Sequence, residues 1–230
     1  KSLPTERARF LCDATLLADG TVLVSGGARK GWANNNSGAV NEAEIFDPRT
    51  KTFRTAATAD TDRRYHSVAL LLPDGTVLKA GSNGGFGGPS SKEGETQMWF
   101  ASHTTGERYL PPYLWRGPRP VIVDDRAAGS ACTLEHGQEF PIVATGPGLD
   151  DHSGAALIRL GATTHGNNME QRYVRLDVSA RERDGETWTL TATAPGNGAE
   201  APPGDYMLVV VDGIGVPSEA RLVRLTDRSS

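Results

Sequence analysis

An all-β fold, about two blades of a partial β-propeller followed by an immunoglobulin-like β-sandwich, follows from three observations on the 230-residue sequence. A strand-turn-strand unit occurs twice. Short alternating segments recur at sandwich spacing through the C-terminal half. Glycine (27) and proline (14) are abundant, and no segment carries the 3.6-residue apolar period of an amphipathic helix.

The repeated unit spans Ala8 to Gly27 and Arg63 to Ser82. Leu16-Leu17-Ala18-Asp19-Gly20-Thr21-Val22-Leu23 aligns with Leu71-Leu72-Pro73-Asp74-Gly75-Thr76-Val77-Leu78 at 71 minus 16, or 55 residues. Two apolar strands joined at an Asp-Gly turn, with a period near 50 residues, describe the start of a four-stranded propeller blade. After the first hairpin come a polar loop with Trp32 and Asn34 to Asn36, a strand from Ala43 to Phe46, and a return through Phe53. The second unit is expected to continue through a strand at Thr96 to Ala101. Glu107 to Ile122, rich in proline and without periodicity, reads as a linker with a boundary near Arg119. The domains expected are therefore residues 1–118 and 119–230. Sandwich strands are predicted at Glu139 to Val143, Ala155 to Leu160, Gln171 to Leu176, Thr187 to Ala192, Tyr206 to Val211 and Ala220 to Leu225.

Two blades cannot close a propeller, which takes about four to eight. The chain starts at Lys1 without a signal segment. The missing N-terminal blades are therefore expected as a second chain or as the other product of a cleaved precursor, unless the two blades fold in another way. The net charge of −4, with scattered basic residues, excludes a nucleic-acid surface, and no apolar run has membrane-span length. Cys12 and Cys132 are distant in sequence and lack metal-site spacing, so they are either a disulfide or two free thiols.

The repeat also locates the chemistry. Scaffold positions are filled alike from unit to unit, so a chemical divergence marks function. Phe10 and Leu11 fall on Tyr65 and His66, so that one unit is apolar where the other carries a phenol and an imidazole. Adjacent strand residues face opposite ways, so both reach one ligand only at a bend or strand end. A second imidazole, His165, sits in a loop between two sandwich strands. His103, His136 and His152 read as exposed loop residues. Two imidazoles and a phenolate suit Cu(II) better than zinc, calcium or magnesium. The bland alternative is a packed Tyr and backbone-satisfied histidines.

RRYHSVALLLPDGTVLKAGSN, ERYLPPYL, THGNNMEQR and PPGDYMLVVVDGIGVPS, in this order, resemble the C-terminal part of the galactose oxidase and glyoxal oxidase family of copper radical oxidases, closer to the glyoxal oxidase-like branch. The resemblance runs from about Ala8 to Leu225. It implies a kelch-type propeller, Tyr65 as axial copper ligand and catalytic base, and His66 and His165 as equatorial ligands. The position that lines the substrate pocket in galactose-oxidising members falls on Leu11, with Phe10 beside it, which puts a galactose-type pocket in doubt. The family's Tyr-Cys radical cofactor belongs to blades absent from this chain, and Cys12 is not in its motif context. The implied reaction takes a primary alcohol or aldehyde, including carbohydrate, and O2 to the oxidised product and hydrogen peroxide, in a secreted or cell-surface setting. The rival reading is a non-catalytic glycan- or protein-binding module.

Overall fold

The computed structural model describes residues 8–30, 38–82, 103–123 and 132–228. Trp32, Asn34 to Asn36 and the predicted strand at 96–101 lie outside these residues. The described chain is all-β, with a single 3₁₀ turn (Pro112–Trp115) and no α-helix among the described residues. Among the described residues no helix is long and apolar enough to cross a membrane.

β1 (Asp13–Leu16), β2 (Val22–Ser25), β3 (Glu42–Asp47) and β4 (Thr52–Thr58) form an antiparallel sheet in that order, the first blade. β5 (Ser67–Leu71), β6 (Val77–Gly81) and β7 (Gly106–Tyr109) form the second. The two Asp-Gly turns are near copies, because the same short-range chemistry closes both. Asp19 Oδ1 accepts from the Thr21 amide (3.1 Å) and hydroxyl (2.6 Å). Asp74 does the same for Thr76 at 2.9 and 2.7 Å. Gly20 and Gly75 then take φ of +80° and +81°, a region open to glycine.

Equivalence fails by one residue before the inner strand. Arg9 reaches the Gly26 carbonyl (3.3 Å) and Glu44 of β3 (2.9 Å). In the second blade the same pair of contacts, Gly81 carbonyl (2.7 Å) and Glu107 of β7 (2.7 Å), is made by Arg63 rather than by Arg64, onto which Arg9 aligns. Arg64 has another environment, described below.

The expected linker is a correction. Glu107 begins in β7, hydrogen-bonded to β6, because Gly106-Glu107-Arg108-Tyr109 repeats the pattern of Ala43-Glu44-Ile45-Phe46 in β3. Beyond it, Tyr113 is buried with its hydroxyl on the Gly75 carbonyl. Arg119 then donates to three carbonyls, Asp74 (2.6 Å), Pro217 (2.8 Å) and Ser218 (2.6 Å). Proline-rich sequence here reflects turns packed against both halves, not a free tether.

The sandwich holds one sheet of β8 (Val121–Ile122), β10 (Glu139–Thr145), β15 (Asp177–Asp184) and β16 (Thr187–Thr193). The other sheet holds β9 (Cys132–Glu135), β11 (Gly154–Arg159), β14 (Tyr173–Arg175), β17 (Gly204–Val211) and β18 (Arg221–Thr226). Between them lie Trp188, Leu190, Leu157, Phe140 and Tyr206. The Tyr206 hydroxyl donates to the Pro202 carbonyl four residues upstream (2.7 Å), the tyrosine corner of immunoglobulin-type sandwiches. The six predicted strands are present. β9 and β15 were not foreseen: β15 is a largely exposed edge strand with a bulge between Val178 and Ala180, which erases the alternation a sequence reading depends on. A second core is shared by both halves, with Leu17, Leu23, Ala69 and Val77 of the blades against Ile158, Met207 and Val209 of the sandwich.

Two further expectations are corrected or resolved. His136 is buried, not exposed: its Nε2 is 2.8 Å from the Ala201 carbonyl and its Nδ1 3.3 Å from Asp227. Cys12 and Cys132 are free thiols.

Gly26 shows how tightly the blades meet. A Cβ there would clash with the Arg63 carbonyl and come within 2.6 Å of Lys79 Nζ, at a φ of +66°. Gly26→Ala should cost about 2 kcal/mol or more, from strain and clash together. Gly185→Ala, at φ +59° with nothing within 4 Å, should cost only the backbone strain of about 1 kcal/mol. Denaturant titration of the two variants measures the difference.

Burial raises the Tyr173 phenol to about 12. A folded-state value above the ordinary 10 means stability that is complete below pH 10 and lost between about pH 10 and 12. In alkaline melts Tyr173→Phe should remove that loss.

Candidate metal centre

Tyr65 and His66 sit in the turn that feeds β5. The Ser67 amide donates to the Arg64 carbonyl (3.1 Å), closing a four-residue turn with Tyr65 and His66 as its central pair. His66 takes a φ of +62°, the left-handed value found at the third position of a type II turn. The bend solves the facing problem: two neighbouring side chains stack with ring centres 3.8 Å apart. The equivalent residue of the first blade, Leu11, has the same conformation (φ +56°). The backbone device is therefore common to both blades, and only its side chains differ.

His165 arrives from the sandwich on a two-stranded finger, β12 (Thr163–Thr164) and β13 (Asn167–Asn168). The two loop residues His165 and Gly166 both have positive φ, +56° and +77°, as a type I′ hairpin requires. His165 thus occupies the place usually held by Asn, at the tip. The Thr164 hydroxyl is 2.6 Å from its Nδ1, which leaves Nε2 for a ligand. The His165 ring lies 4.3 Å from that of His66 at 79°, and 5.6 Å from that of Tyr65.

The finger is held on the first blade. Its Gly166 rests on the Leu11–Cys12 backbone, where an added Cβ would stand 3.2 Å from the Cys12 carbonyl. At its base Gln171 uses both ends of its amide on β1, accepting from the Leu16 amide (2.9 Å) and donating to the Ala14 carbonyl (2.6 Å). Gln171 was not singled out from the sequence. A glutamine gives no sign that its partners lie over 150 residues away.

The structure thus brings Tyr65, His66 and His165 together. Leu11 and Phe10 lie next to the finger and at the Phe10–Ala28 bridge; neither adds a polar group. Arg64, one residue before the pair, is buried, with Nε and Nη1 lacking a hydrogen-bond partner among the described residues and Asp62 3.8 Å from its Nη2. Among the described residues no three His, Cys, Asp or Glu side chains gather as a metal site. The gathered donors are two imidazoles and a phenol, and this set fits Cu(II).

Two family models match the chain in succession: "glyoxal oxidase N-terminus" over residues 1–113 and "galactose oxidase-like, early set domain" over residues 119–225. Galactose oxidase of Gibberella zeae is 31% identical over 95% of this chain and 30% of its own length. The aldehyde oxidase GLOX of Vitis pseudoreticulata is 32% identical over 94% of this chain and 41% of its own. The solved structure of a fungal alcohol oxidase of the AA5 family, in complex with copper, superposes with a TM-score of 0.74 at 30% identity, covering 96% of this chain and 43% of that one. The chain therefore spans less than half the length of each of these relatives.

Gln171→Ala should remove one exposed and one half-buried hydrogen bond, to the Ala14 carbonyl and from the Leu16 amide, and cost about 1–2 kcal/mol. Amide exchange should accelerate over residues 163–168 while the sandwich core stays protected; uniform acceleration would show that the finger does not depend on this clamp.

Proposed function

The chain belongs to the galactose oxidase and glyoxal oxidase family, and on that basis we propose that it is the C-terminal part of a mononuclear copper radical oxidase. The observation that carries this reading is the convergence of Tyr65, His66 and His165 from two parts of the fold, at ring separations of 3.8 to 5.6 Å. In the proposed arrangement, residues 1–118 are the last blades of a kelch-type propeller and residues 119–230 the sandwich that supplies the finger.

The reaction converts a primary alcohol or aldehyde hydrate and O2 into the oxidised product and H2O2. The substrate gives up two electrons and two protons, and O2 takes up both. Copper, when bound, supplies one of the two one-electron stores this balance needs and the place where O2 is reduced. The second store is a Tyr-Cys radical on the N-terminal blades, which act as a partner chain or as the other product of a cleavage. His66 and His165, together with the Tyr65 oxygen, would hold the ion. The Tyr65 oxygen would take the substrate hydroxyl proton, a role that requires hydrogen-bond reach to the reacting group. Leu11 and Phe10, apolar, line the substrate side and disfavour a sugar such as galactose. Release of hydrogen peroxide goes with a secreted or cell-surface location.

Metal analysis with a peroxide assay tests this. Protein containing the N-terminal blades should carry about one copper per chain. His66→Ala and His165→Ala should each remove most of it. Tyr65→Phe should lower turnover at least 10²-fold, the scale of a lost general base, with the fold intact. Residues 1–230 alone should be inactive toward alcohols and aldehydes. Turnover by that segment, free of any other polypeptide, would overturn the assignment of the radical to the N-terminal blades. Ligand binding without copper uptake would favour the binding-module reading.

A further inference from the structure

β1 is the strand that touches both histidine carriers. Its approach, Leu11–Cys12, supports the tip of the finger, and its Ala14 and Leu16 backbone holds Gln171 at the base. Between these contacts lies Asp13, 3% exposed. Asp13 Oδ2 accepts from the Ser67 hydroxyl at 2.9 Å, and Ser67 is fully buried and follows His66 directly. The same oxygen accepts from Lys79 Nζ at 2.9 Å, and Lys79 also donates to the Ser25 hydroxyl at 3.0 Å. One carboxylate oxygen thus ties the strand under His165 to the turn that carries His66.

We propose that Asp13 is a positioning residue: through Ser67 it sets the separation of the His66 and His165 rings and, with it, the geometry offered to a metal. Lys79 pairs with the carboxylate and aims it; Ser25 steadies Lys79 but does not contact the residue after His66. The consequence for metal binding rests on the copper reading above, whereas the effect on ring separation does not.

The two hydroxyls make the test sharp, since each donates or accepts one buried hydrogen bond in the same cluster. Ser67→Ala and Ser25→Ala should lower the denaturation midpoint by similar amounts. In metal-free protein with ¹³C-labelled histidine, the cross-peak between His66 and His165 ring protons should be clear in the parent and in Ser25→Ala and weaken at least twofold in Ser67→Ala. Cu(II) affinity, measured against a chromophoric chelator, should fall roughly tenfold or more in Ser67→Ala, the scale of lost support behind a metal ligand. Asp13→Ala, if folded, removes the acceptor for the Ser67 hydroxyl and should repeat the Ser67→Ala result. An unchanged cross-peak in Ser67→Ala, or an equal loss in Ser25→Ala, overturns the proposal. If the parent takes up no Cu(II), the copper reading fails, and the metal-free cross-peaks still decide whether Asp13 positions the rings.

Discussion

The site depends on a backbone constraint: both histidines stand in the left-handed region, at φ of +62° and +56°. For a residue with a Cβ this conformation costs about 1–2 kcal/mol, and it persists only where surrounding contacts over-determine it. In each case the bend does what a straight strand does not. At His66 it turns two neighbouring side chains onto one side, and at His165 it projects an imidazole from the end of a two-residue loop. The local strain is offset outside the turns, by the pairing of β5 with β6 and by the clamp of Gln171 on β1.

Everything else in the blade seam serves close approach. Gly26 and Gly27 let the exit of the first blade run against the Arg63 backbone, where the Gly27 amide donates to the Arg63 carbonyl at 2.9 Å. Arg63 is itself fully buried and fixed by Glu107 at 2.7 Å. The segment leading into Tyr65 and His66 is therefore pinned from both blades before the turn begins. The shared core of Leu17, Val77, Ile158 and Met207 fixes the sandwich against the same blades. The finger approaches a site whose two halves already have a defined spacing.

Much of this was legible in the sequence, and the reason is the repeat. The Asp-Gly turns, the strand pairs around them and the divergence at Tyr65 and His66 are local patterns, and local patterns survive in one dimension. The need for a bend at Tyr65-His66 also followed from strand geometry alone. What escaped were features defined by distant partners. β7 hid among prolines because its pairing with β6 spans an intervening 24 residues, from Ser82 to Thr105. The burial of His136 depends on Ala201 and Asp227, and the role of Gln171 on β1. The shift from Arg64 to Arg63 was invisible because the two residues are chemically identical, so no alignment by residue type separates them.

The Asp13–Lys79 pair decides between stability and geometry as the reason for a buried charge in the seam. Burial pulls the Lys79 ammonium below its ordinary pKa, with the Asp13 carboxylate opposing the shift. Desolvation is the larger effect, as it often is when two charges leave water. Apolar residues of like volume would serve stability as well or better. They would also abolish the acceptor for Ser67, and with it the hydrogen-bonded link between β1 and the residue after His66. A methyl-lined seam can slide by fractions of an ångström; a carboxylate oxygen with donors at 2.9 Å from two directions cannot do so without leaving a buried charge short of partners. The charge is retained where two metal-ligand candidates from separate parts of the fold must be held to one distance.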